Sequence, residues 1–154
     1  MHEDIYWIDD MEITQVEADA LLAMEKVCSD ASPRDFPDLG GSLQIDLLSR
    51  DERELFVLDI SRRRISLSTK YQTRARQSVV LARLDFNSPH RNPDGNLVGV
   101  PHLHLYRDGF GDKWAFTIPD GMLSKPDDAR QTLIDFMDYC KIVEQPHINW
   151  GLFS

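Results

Sequence analysis

Ser42-Leu43-Gln44-Ile45-Asp46-Leu47-Leu48, then Ser49-Arg50-Asp51-Glu52, then Leu55-Phe56-Val57-Leu58-Asp59-Ile60 has the pattern of two strands joined by a reversal. Leu43, Ile45 and Leu47 alternate with Gln44, Asp46 and Leu48, the two-residue period of a half-buried strand. The polar tetrad is suited to a reversal, and the second apolar run is the returning strand. A second reversal at Ser61-Arg62-Arg63 leads into Ile65 and Leu67, with Arg64, Ser66 and Ser68 as their polar alternates. Lys70 to Gln77 continues as a polar strand end or an irregular crossing. Ser78 to Phe86 is apolar on both sides, which predicts a strand in the interior of a sheet.

Helical signals stand on both flanks of this region. Thr14-Gln15-Val16-Glu17 has the form of a capping box. Val16, Ala20, Leu21, Met24, Val27 and Cys28 then recur at helical spacing, predicting a helix over 14–28. Ser29 to Gly41 is a loop broken by Pro33, Pro37, Gly40 and Gly41, with Phe36 as its anchor. Asn87 to Gly99 is a second turn-rich segment, built around Pro93-Asp94-Gly95. Val100 to Arg107 is the next strand, and Trp114 to Ile118 its hairpin partner. Ser124 can cap a final helix over 126–140, and Asn149 to Phe153 is an apolar tail that needs a place to pack. The order predicts an α+β domain over 14–154, with a mainly antiparallel sheet of about six strands and an N-terminal and a C-terminal helix. Residues 1–13 precede it as an acidic arm carrying Ile5, Tyr6, Trp7 and Ile8.

The net charge of −9 is unevenly distributed. Residues 1–41 hold 11 acids and 2 bases, residues 42–91 hold 6 acids and 10 bases, and residues 92–154 hold 9 acids and 5 bases. The acidic total disfavours nonspecific binding to nucleic acid or anionic membrane, while the basic middle keeps a local anion site open. No apolar run approaches the ~20 residues of a membrane helix, and Met1-His2-Glu3-Asp4 is unlike a secretory leader. A cytoplasmic protein without a membrane partner is the expectation. Cys28 and Cys140 share no metal-type spacing and are expected as reduced thiols.

Chemistry is concentrated in Val100-Pro101-His102-Leu103-His104-Leu105-Tyr106-Arg107 and the Asp108-Gly109-Phe110-Gly111-Asp112-Lys113-Trp114 that follows. On an extended strand, Leu103 and Leu105 point to one side, and His102, His104 and Tyr106 to the other. The two imidazoles then lie about 6.5–7 Å apart along the strand. That arrangement serves a metal, an acid/base pair, or simply a hydrogen-bonded polar face. A zinc site needs further ligands, and His90, Asp108 and Asp112 are the nearest in sequence. With only two ligands in secure geometry, no metal and no cofactor is expected. Arg62, Arg63, Arg64, Lys70, Arg74, Arg76, Arg83 and Arg91, with Tyr71 among them, could grip phosphate and stack a base, or could be a solvated sheet edge guarded by charge or an internal counterpart for the acidic helix 14–28.

Four runs carry a resemblance: Thr73-Arg74-Ala75-Arg76; Val79-Val80-Leu81-Ala82-Arg83-Leu84-Asp85; Pro89-His90-Arg91-Asn92-Pro93-Asp94-Gly95; and Pro101 through Trp114. Together they resemble an uncharacterised family of short prokaryotic and phage-borne proteins of unknown function, over about residues 14 to 140. The resemblance implies a mobile-element setting and no established activity. Two functions follow as expectations. The first is a noncatalytic protein that binds another protein, an inhibitor or regulator, through Trp7, Asp9, Asp10 and the acidic surface. The alternative is a small ribonuclease-like toxin. It would use His102 and His104 as acid and base, Tyr106 and Lys113 assisting, and Arg76, Arg83 and Arg91 on the phosphates, with RNA held by the basic 62–91 segment.

Overall fold

Thr14 opens the first helix as its sequence predicts. Its hydroxyl accepts from the Glu17 N–H at 3.1 Å, while its own N–H donates to the Glu17 carboxylate at 3.4 Å. The computed structural model describes residues 13–64 and 68–151. The expectations for the acidic arm, with Trp7, Asp9 and Asp10, and for a strand at Ile65 and Leu67 lie outside the described residues. Helix α1 spans Gln15–Ala23, shorter than the 14–28 expected. Its buried residues are Ala18 and Leu21, and Val16 is 79% exposed. Two positions along a helix is a turn of about 200°, so Val16 cannot share the side on which Ala18 is buried.

The chain leaves α1 because Lys26 and Val27 are claimed by the sheet. They form strand β1 (Lys26–Val27), antiparallel to β3 (Ser42–Ser49) and parallel to β11 (Ile142–Glu144). The Lys26 side chain is fully buried, and its ammonium donates to the carbonyls of Leu22 at 2.9 Å, Met24 at 2.8 Å and Cys140 at 2.7 Å. These belong to the ends of both helices, whose last carbonyls have no partner within the helix. One side chain thus ties two helix C-termini together. Burial lowers its pKa from 10.5 to about 8.

The main sheet has eight strands in the order β10-β9-β6-β5-β4-β3-β1-β11. Its remaining members are β4 (Leu55–Arg62), β5 (Thr69–Ala75), β6 (Val79–Asp85), β9 (His102–Leu105) and β10 (Ala115–Thr117). Every pairing is antiparallel except β1 with β11. The count exceeds the expected six by β1 and β11, which are too short to leave a period in the sequence. Register places Ile60, Tyr71, Leu84 and Leu103 in one row across four strands, and Leu58, Thr73, Ala82 and Leu105 in the next. The register steps between Thr73 and Arg74 and leaves Leu81 as an extra, buried residue. That bulge accounts for the two-sided apolar character of the 78–86 run.

Helix α2 (Ala129–Tyr139) closes the core with Leu133, Phe136 and Met137. Asp128, not Ser124, is its cap: the carboxylate accepts from the N–H groups of Arg130 and Gln131. Ser124 instead bonds the Asp135 carboxylate. Two short ladders complete the structure. In the first, β2 (Arg34–Asp35) pairs with β12 (Ile148–Asn149). It brings Trp150 onto Phe36, with ring centroids 4.3 Å apart. In the second, β7 (His90–Arg91) pairs with β8 (Leu97–Val98) around the expected turn, where Gly95 has φ 89°. Cys28 and Cys140 are both free thiols. Among the described residues, no helix is long and apolar enough to cross a membrane.

Candidate functional site

Strand β9 is paired on both sides. Asp85 and Thr117 flank His102, and Arg83 and Ala115 flank His104. Alternation sends Leu103 into the core and both histidines to the opposite side of the sheet, as the strand reading predicts. That side is not open to solvent here, because His102 and His104 are each 1% exposed. The Asn87–Gly99 segment folds back as the β7–β8 hairpin and brings His90 to the pair, its ring centroid 4.6 Å from that of His104 and 5.9 Å from that of His102. Asn92 fastens the hairpin by accepting from the Ala115 N–H at 2.8 Å and donating to the Ala115 carbonyl at 2.9 Å. Those are the bonds a neighbouring strand would make, so Asn92 also blocks the free edge of β10 at this residue.

The ring nitrogens have defined tasks. Nδ1 of His102 lies 3.0 Å from the Gly99 carbonyl, and Nδ1 of His104 lies 2.8 Å from the Asp112 carbonyl. A carbonyl only accepts, so each Nδ1 carries the hydrogen and donates it. The two Nε2 atoms face each other at 3.1 Å. Asp85 approaches the same point: one of its oxygens accepts from the Asn87 N–H at 2.7 Å, and the other lies 3.9 Å from Nε2 of His102. His90 donates through Nε2 to the Lys113 carbonyl at 2.7 Å. Burial first, and the nearby Arg83 guanidinium second, push the pKa of His104 down to about 4, so it is neutral at physiological pH.

The residues expected to serve these histidines are placed differently. Tyr106 does not join them, because β9 ends at Leu105 and the alternation stops there. Its hydroxyl donates to the Ile13 carbonyl at 2.6 Å and accepts from the Ile13 N–H at 3.2 Å, fastening the start of α1. Asp112 and Lys113 do reach the cluster, but through main-chain carbonyls. The Asp112 carboxylate is ion-paired with Arg83. Asp108 is exposed in the turn closed by Arg107 and Gly111, its N–H bound to the Gln15 side chain.

The basic segment is likewise not gathered around one anion. Arg74 holds Asp59 at 2.6 Å. Arg76 holds Glu17 and Glu54 at 3.2 and 3.1 Å. Arg91 donates to the Gly95 carbonyl at 2.6 Å, and buried Arg62 donates to the Pro37 carbonyl at 3.0 Å. Asp85 is the member of the cluster that sequence reasoning missed. It ends an apolar run 17 positions before His102, and only the β6–β9 register brings them together.

A family model described as a family of unknown function (DUF6978) matches residues 13–142. No curated protein and no solved structure matches the chain.

Proposed function

The chain belongs to this family of unknown function, and we propose that it acts by binding another protein, as an inhibitor or regulator, and not by cleaving RNA. One observation carries the proposal: the two histidines an RNA-cleaving site would use are buried, and three of the arginines near it are ion-paired within the chain. His102 and His104 are buried with each Nδ1 bound to a carbonyl, and Arg74, Arg76 and Arg83 are held by the protein's own carboxylates. An acid/base pair must reach the proton it moves, and sealed imidazoles do not.

The outward surface of residues 17–38 is acidic. Glu17, Asp19, Glu25, Asp30, Asp35 and Asp38 are all exposed. Beside them, an open cleft of about 370 Å³ runs between α1 and the β9–β10 end of the sheet, lined by Ala18, Leu22, Leu105 and Phe116. Acidic and apolar surface side by side suits a partner with basic and apolar groups. A cytoplasmic role in a phage or mobile-element setting is part of the same proposal.

Cross-linking and copurification from the native cell is the test. One protein should be recovered in stoichiometric amount. It should be lost from Trp7→Ala, from charge reversal at Asp9, Asp10 and Glu12, or from Phe116→Asp, and kept by His147→Ala. Recovery of RNA instead, released steeply by salt, would contradict the proposal.

A further inference from the structure

We propose that Asp85, His102 and His104 bind a divalent transition-metal ion of the zinc type, between β6 and β9 and beneath the β7–β8 hairpin. The ligand atoms of these three residues all lie within 4.8 Å of one another. The inference does not depend on the partner proposed above.

The tautomers carry the argument. Because both Nδ1–H groups are committed to carbonyls, both Nε2 atoms present lone pairs, and they present them to each other at 3.1 Å. Two acceptors at hydrogen-bond distance repel unless something positive lies between them. Tetrahedral ligands at zinc-to-nitrogen distances of about 2.0–2.1 Å stand ~3.4 Å apart, close to the separation seen. Metal-bound histidines characteristically donate their other ring N–H to a carbonyl or carboxylate, which fixes the ring and selects the ligating nitrogen. Gly99 and Asp112 do this for His102 and His104. The Asn87 N–H orients Asp85 in the same manner, leaving its second oxygen on the side of His102.

His90 lies beside the trio, its ring centroid 4.6 Å from that of His104, though outside the group of ligand atoms that converge within 4.8 Å. With Nε2 donating to Lys113, its Nδ1 keeps a lone pair, and its ring is beside that of His104. Imidazole and carboxylate donors without thiolate suit zinc and its neighbours in the first row. Two cations lie nearby. Arg83, which disfavours positive charge on His104, is ion-paired with the Asp112 carboxylate. Lys70, 4.0 Å from Asp85, has a side chain 38% exposed and free to turn to water. Burial of both histidines marks a closed, structural site that fastens the hairpin to the sheet, since a catalytic site keeps an open position.

This departs from the expectation of no metal, which rested on the lack of a third ligand in the sequence. The test is titration of the chelator-treated full chain with zinc by calorimetry, with the thermal midpoint and the absorption spectrum of a cobalt-loaded sample as further readouts. One zinc per chain, a midpoint raised by zinc and lowered again by chelator, and a tetrahedral cobalt spectrum are expected. Asp85→Asn and His104→Ala should each weaken binding at least ~100-fold, beyond what loss of a supporting hydrogen bond costs. His147→Ala should bind as the wild type does. If His104→Ala does not fold, Asp85→Asn and the response of the wild type to chelator decide. A folded wild-type chain that takes up no zinc overturns the proposal. So does zinc retained by both ligand variants, which would put the metal elsewhere.

Discussion

Lys26→Met is expected to lower the unfolding free energy by about 2–4 kcal/mol. The variant leaves the carbonyls of Leu22, Met24 and Cys140 without their donor, and an orphaned buried acceptor costs about 1–3 kcal/mol. Two effects offset this. The carbonyls of Leu22 and Met24 are only partly buried and regain water, and the buried ammonium no longer has to be stripped of its own hydration. The Cys140 carbonyl is buried and regains nothing. Urea melts of the two proteins measure the difference, and a loss below ~0.5 kcal/mol would mean that Lys26 does not tie the helices together.

The same pair of proteins has a pH signature. The folded-state pKa of Lys26, about 8, lies below its ordinary value of 10.5. Between those values the unfolded chain binds more protons than the folded one, so this group contributes stability that rises with pH across the window. Cys140 acts in the opposite sense, because burial pushes its thiol from 9.0 up to about 11. Cys140 is present in both proteins. The wild type should therefore gain on Lys26→Met as pH climbs from about 8 toward 10.5.

Leu103→Ala is expected to cost about 2–5 kcal/mol, the range for emptying a fully enclosed leucine site. Leu103 is 0% exposed and lies in the row of Ile60, Tyr71 and Leu84, with β10 on its other side. Leu105, one row nearer the cleft, is only partly buried and should cost less when truncated. Equal losses at the two positions in denaturant melts would mean that the cleft beside Leu105 is filled.

The long strands were legible in the sequence: Leu43/Ile45/Leu47 carry a two-residue period that no helix shares, and the run from Val79 to Asp85 is short and apolar on both sides, as an interior strand is. The capping box at Thr14 marked where α1 begins, but nothing local marked its end. Residues 24–28 continue a plausible apolar stripe, and only the pairing of Lys26 with Ser49 and Ile142 pulls them into the sheet. At the histidines, the alternation along β9 correctly separated His102 and His104 from Leu103. It could not show that the other side of the strand is covered, because the cover is a hairpin whose two-residue strands have no period to read. Asp85 stayed hidden for the related reason that register is a property of two strands together. Tyr106 falls outside the alternation because β9 ends at Leu105, one residue before it.

On the reading proposed above, the histidine-bearing side of β9 serves as an internal fastening and not as a reaction centre. Incubation of purified wild-type protein with end-labelled RNA, with and without added zinc, tests it most directly when run beside folded His104→Ala. No cleavage by the wild type above the level of the variant is expected. Cleavage that falls at least ~10²-fold when His104 is replaced would contradict it, and would make the buried pair an acid/base site.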